Sequence, residues 1–137
     1  MRVYLDSSAL VKRALLESES SGLIEAIDGW VTEQSALFSS SLAWIEVTRT
    51  IRSRHDDEPP AEIVQLIENA LAGIDECPIT ELVSDIARRL GPSTLRSLDA
   101  IHLATATLLG ADLVCAYDKR LLTSANELGF RTSSPGI

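Results

Sequence analysis

Basic, aromatic and cysteine residues are all scarce in this sequence, and each shortage narrows what the chain does. Twelve Lys and Arg stand against twenty Asp and Glu, a net charge of −8. A module that grips nucleic acid chiefly by neutralising phosphates is basic, so direct DNA binding by this chain is not expected. Aromatic side chains make up 4% of the residues, too few for a base-stacking platform. The two cysteines, Cys77 and Cys115, lie far apart without a CxxC, and there are only two histidines. That argues against a disulfide scaffold or a zinc site and fits a reducing cytoplasm. No uncharged run approaches the roughly 18 residues of a membrane span; Ser35–Ile45 comes nearest. One Arg and four hydrophobic residues precede Asp6, which is no signal-peptide pattern. The expectation is a soluble, cytoplasmic protein with no membrane partner.

What is present is ordinary for a globular chain: 45% hydrophobic and 23% charged residues over 137 positions. That length suits one domain, residues 1–137, burying about two-thirds of its unfolded surface. Arg2–Leu5 reads as a first strand, with Ser7 and Ser8 as capping types ahead of a helix over Ala9–Leu16. Ser21–Ile27 is amphipathic and ends near Gly29. Ala36–Ser39 reads as a short strand leading into a long helix, Leu42–Arg54, with Trp44, Val47 and Ile51 on one apolar face. His55–Pro60 is the clearest loop, and Ala61–Ala72 another amphipathic helix closed by Gly73. Cys77–Ile79 reads as a strand, Glu81–Leu90 as a helix, and Ser97 as the cap of a helix over Leu98–Leu109. Leu113–Tyr117 is an apolar strand, followed by a helix over Arg120–Leu128. Strands alternating with helices imply an α/β fold with a parallel sheet covered on both faces.

Ligands of such sheets sit at the carboxyl ends of the strands. Asp6 and Asp118 stand at two of those ends, Glu46 lies on the Leu42 helix, and Asp99 lies in the turn after Ser97. Four carboxylates in one cleft would repel, and two Mg2+ ions would balance them charge for charge. Such ions generate a nucleophilic water and stabilise charge on a phosphate. Each acid also has a plainer role: Asp6 as a helix cap, Glu46 paired with Arg49 or Thr50, Asp99 favoured by a helix dipole, Asp118 as a turn residue.

Four segments carry a resemblance. Val3-Tyr4-Leu5-Asp6-Ser7-Ser8-Ala9-Leu10-Val11-Lys12 resembles the first motif of PIN-domain ribonucleases, specifically the VapC toxins of bacterial toxin–antitoxin pairs. Ser40–Val47, with Glu46, is similar to the second motif; Leu98–Ala106, with Asp99, to the third; Leu113–Leu121, with Asp118, to the fourth. The order holds over nearly the whole chain. The resemblance implies a three-layer α/β/α PIN-like fold with a mostly parallel central sheet. It further implies a magnesium (Mg2+) or manganese (Mn2+) dependent endoribonuclease, with Asp6, Glu46, Asp99 and Asp118 as catalytic and metal-binding acids. Ser8 would support Asp6 from behind. The implied partners are an RNA substrate (transfer or ribosomal RNA foremost), a VapB-type antitoxin whose C-terminal segment fills the groove, and a second copy of the chain. One departure stands out: Ala116 occupies a position where many relatives carry Thr, which bears on whether a second metal is held.

His102 suggests either a general base or a packing residue bonded within its motif. Arg13, Arg49, Arg52, Lys119 and Arg120 are candidate phosphate contacts or ordinary surface charges. Cys77 and Cys115 read as inert buried thiols. The apolar helices Leu10–Leu16 and Ile63–Leu71 suggest a face for a dimer partner or antitoxin. The loops Gly29–Ser35 and His55–Pro60 are candidates for substrate choice. Two other readings remain: a catalytically silent PIN-like module binding RNA or protein, and a metal-dependent phosphatase. The latter usually places a second Asp two residues after the first, where this chain has Ser8.

Overall fold

A computed structural model describes all 137 residues. Its strands are β1 (Arg2–Leu5), β2 (Ala36–Ser40), β3 (Asp75–Cys77), β4 (Leu113–Cys115) and β5 (Arg131–Ser133). The helices are α1 (Ser7–Val11), α2 (Ser20–Thr32), α3 (Ser41–Arg54), α4 (Pro60–Leu71), α5 (Glu81–Arg89), α6 (Ser97–Leu108) and α7 (Lys119–Glu127). All strands are parallel, in the order β3-β2-β1-β4-β5.

The strand period sorts side chains into two cores. Val3, Leu5, Leu37, Leu113 and Cys115 meet residues of α1–α4, including Leu10, Leu23, Ile27, Val47 and Ile51. Tyr4, Phe38, Val114 and Ala116 point the other way, onto Leu103 and Ala106 of α6 and Leu121 and Ala125 of α7. Being buried on both faces, β1 and β4 read as continuous apolar runs. The result is the expected three-layer α/β/α arrangement.

Several boundaries differ from the sequence reading. Helix α1 stops at Val11 because the Ser20 hydroxyl donates to the Lys12 carbonyl and folds the chain back. Its apolar residues Ala9, Leu10 and Val11 are consumed by the chain's own core, and Leu16 lies exposed outside the helix. Helix α2 runs through Gly29 to Thr32, since Trp30 beyond it packs on the core. Strand β3 lies at Asp75–Cys77, two residues earlier than expected, because Pro78 cannot donate to a ladder. Thr80, not a strand residue, then caps α5 through Val83 N. Ser97 is the first helical residue of α6 rather than its cap; Arg96 takes the cap position without a side-chain bond to the helix backbone. Strand β5 is unforeseen, being short, polar and at the sheet edge.

The connections leaving β1 and β2 run over one face, and those leaving β3 and β4 over the other. The direction of winding therefore reverses between β1 and β4. At such a switch point two adjacent loops diverge, opening a crevice at the carboxyl edge where ligands of doubly wound sheets bind.

Candidate active site

Asp6 ends β1 and caps α1, its Oδ1 accepting from Ala9 N at 3.1 Å. The capping role and the candidate catalytic role thus fall on one side chain. Ser8 donates to the same Oδ1 at 2.6 Å, and its own oxygen accepts the Tyr117 N–H at 2.9 Å. One hydroxyl therefore clamps the carboxylate to the loop after β4, across the switch point. Asp6 is only 3% exposed, and burial pushes its pKa up to about 6. His102, the Ser8 hydroxyl and the Ala9 N–H act against that rise, while Asp118 adds to it.

Asp118 follows β4 and caps α7, Oδ1 accepting from Arg120 N at 2.8 Å and Leu121 N at 3.2 Å. Its Oδ2 is 3.7 Å from Arg96 Nη2. The same guanidinium donates through Nε to Asp99 Oδ2 at 3.1 Å. Asp99 sits in the first turn of α6 and is 8% exposed, so a half-exposed Arg bridges a buried acid and an open one. Arg96 had no place in the sequence reading; its position three residues before Asp99 was the available signal.

Glu46 projects from α3 and pairs neither with Arg49 nor with Thr50. Its Oε1 accepts from Ser7 Oγ at 3.2 Å and lies 2.7 Å from His102 Nε2. The other ring nitrogen of His102 is 2.5 Å from the Tyr4 hydroxyl. His102 is 3% exposed and bonded on both sides, so it orients Glu46 and is not free to act as a base. Ala116 is fully buried against the α6–α7 core, and no hydroxyl replaces the absent Thr on that side chain.

Arg96 thus joins Asp99 to Asp118, Ser8 ties Asp6 to the loop that leads into Asp118, and Ser7 and His102 hold Glu46 beside them at the same edge. No three of the chain's His, Cys, Asp and Glu side chains are arranged to hold an ion as they stand. The donor set nevertheless consists of carboxylate oxygens, which suit hard Mg2+ or Mn2+, and a cationic group already stands between two of them.

The other candidates sort clearly. Arg13 is spent on the Ala70 and Ala72 carbonyls at 2.8 and 2.9 Å, tying α1 to the end of α4. Arg49, Arg52, Lys119 and Arg120 are exposed. Cys115 is buried, its thiol pushed up to about 12 by desolvation, whereas Cys77 is only half-buried. No helix is long and apolar enough to cross a membrane.

A family model described as the PIN domain matches residues 3–126. The chain belongs to the PIN domain family. This PIN domain is 39% identical over 140 residues to Ribonuclease VapC47 of Mycobacterium tuberculosis (strain CDC 1551 / Oshkosh), spanning 98% of this chain and 97% of the relative. It is likewise 39% identical over 135 residues to Ribonuclease VapC46 of Mycobacterium tuberculosis (strain ATCC 25618 / H37Rv), spanning 97% of each. Among solved structures, the VapBC2 complex of Rickettsia felis bound to a promoter DNA fragment superposes with a TM-score of 0.73 at 9% identity, over 98% of this chain and 99% of that one. That likeness concerns the fold. PIN-domain ribonucleases generally depend on divalent metal.

Proposed function

We propose that this PIN domain is an Mg2+-dependent endoribonuclease acting as the toxin of a toxin–antitoxin pair, with Mn2+ able to substitute. The observation that carries the reading is the convergence of Asp6, Glu46, Asp99 and Asp118 on the β1–β4 switch point. Kinship with proteins named VapC ribonucleases supplies the substrate class. In this reading the four acids hold the metal, and bound Mg2+ supplies a water of lowered pKa together with charge to stabilise the phosphate in displacement. The chain's own residues do the rest. Ser8 fixes Asp6 against the β4 loop, His102 fixes Glu46, and Asp118 is held by the first N–H groups of α7. Asp6, with its pKa near 6, is already mostly ionised at neutral pH, and a bound cation would offset the cost of holding that charge out of water.

Transfer or ribosomal RNA is the proposed target, a VapB-type antitoxin and a second copy of the chain are the proposed partners, and the cytoplasm is the proposed location. A phosphatase reading gains nothing here: the position two residues after Asp6 holds Ser8, which is occupied as a clamp.

The test is to map new 5′-phosphate RNA ends across the transcriptome after inducing the protein in a bacterial host, beside Asp99→Asn and Asp6→Asn. New ends at a few sites, absent with either variant, are expected. Variants that cleave as well as wild type under added Mg2+ would overturn the assignment of these acids.

A further inference from the structure

A protein of net charge −8 that acts on RNA must offer the backbone a local basic path, and two grooves flank the acids as candidates. One, of about 370 Å³, includes Lys12, Arg54 and Asp118. Its cations are already neutralised: Lys12 bonds Glu17 at 2.6 Å and Glu19 at 3.3 Å, and Arg54 lies 3.6 Å from Glu17. The other, of about 570 Å³, runs from the 92–96 loop along α7 and includes Arg96, Asp99, Lys119 and Arg120, with the hydroxyls of Thr123 and Ser124 further along. Neither Lys119 nor Arg120 forms an ion pair with any carboxylate of the chain. Glu127, two turns further along α7, is its only acidic member besides Asp99.

The placement of the two free cations is informative. They are the first two residues of α7, where the helix dipole disfavours positive charge. Local stability therefore selects against them, as it would not for a group merely decorating a surface. They also stand directly after Asp118, so a phosphate held by them lies beside the acid site. A third basic groove, of about 560 Å³ on α3 and including Arg49 and Arg52, shares no residue with the acids.

We propose that the groove between the 92–96 loop and the start of α7 is the phosphate track for the RNA strand on one side of the scissile bond. Lys119 and Arg120 are its backbone contacts, and the Lys12–Arg54 groove carries no comparable contact. The proposal rests on the ribonuclease reading and adds which side of the acids holds the backbone.

Backbone contacts are indifferent to sequence, so a labelled single-stranded oligouridylate reads them, with Ca2+ in place of Mg2+ to suppress cleavage. Binding is measured against salt for wild type, Lys119→Ala, Arg120→Ala, Arg54→Ala and Arg52→Ala. For Lys119→Ala and Arg120→Ala, affinity should fall about threefold to tenfold, and the slope of log affinity on log salt should shrink by about 0.7 each. Arg54→Ala and Arg52→Ala should match wild type, and the two α7 variants should melt no lower than wild type. Unchanged slopes for the α7 variants overturn the track, as does an equal loss with Arg54→Ala or Arg52→Ala, which would mark a different path or diffuse charge. A parallel cleavage assay on total RNA separates the two levels. Wild type that cleaves while the α7 variants bind normally refutes the track alone; wild type that neither cleaves nor binds refutes the ribonuclease reading with it.

Discussion

Arg96 donates through Nε to Asp99 Oδ2 at 3.1 Å, and its Nη2 reaches to within 3.7 Å of Asp118, so one guanidinium occupies the space between two of the four acids. A divalent ion shared by these carboxylates and the Arg96 side chain cannot both be there. Arg96→Gln should therefore raise the affinity for Mn2+ or Mg2+ in the absence of RNA, by about threefold to tenfold given the half-exposed pair. Titration calorimetry on the purified protein reads this directly. An affinity that falls would mean that Arg96 organises the acids for the ion and does not compete with it.

Asp6 gives a pH signature. Its folded pKa, near 6, lies above the ordinary carboxyl value, so between those two pH values the folded state binds more protons than the unfolded one. The carboxyl is neutral and costs nothing below that window; stability falls as pH rises through it, and the penalty is complete above about 6. Asp6→Asn keeps an acceptor for Ser8 and Ala9 without the charge. It should stabilise the metal-free protein by about 1–3 kcal/mol at pH 8, an advantage that vanishes near pH 4. Thermal melts at the two pH values check it.

His102 holds Glu46 and Tyr4 at once. His102→Leu leaves the fully buried Tyr4 hydroxyl without a partner and frees Glu46, at a cost of about 2–3 kcal/mol. Tyr4→Phe added to it should recover part of that stability, since both partners are then gone, but should not recover cleavage. Full recovery of cleavage by the double variant would show that the position of Glu46 does not depend on His102.

Two glycines of α2 should respond oppositely. A Cβ at Gly29 meets nothing within 4 Å, and Gly29→Ala should stabilise by about 0.5–1 kcal/mol through helix propensity. A Cβ at Gly22 would come within 2.8 Å of Gly136 Cα, where the C-terminal tail lies across the start of α2. Gly22→Ala should destabilise, and denaturant midpoints of the two variants will show the contrast.

The α/β alternation, the four acids and their motifs were all legible in the chain order. Asp6, Asp99 and Asp118 sit beside helix starts, and a helix start is announced by local residues. Two-sided burial made β1 and β4 readable as apolar runs, whereas β3 and β5 are polar edge strands with no period to detect. Helix ends are not legible locally where a distant contact sets them, as when Ser20 turns the chain at Lys12 or Trp30 carries α2 past Gly29.

The sequence by itself determined which groups the site contains, because backbone propensity and strand period place each acid on its own element. Which groups touch was decided only by the tertiary structure. Arg96 was within local reach of Asp99 but meets Asp118 only because α6 and α7 pack on the same sheet face. Ser8 meets Tyr117, and His102 meets Glu46, only because the parallel sheet brings chain-distant helices and the loop after β4 to one edge. Side-chain bonds between residues dozens of positions apart leave no periodic trace, since packing alone selects the partner.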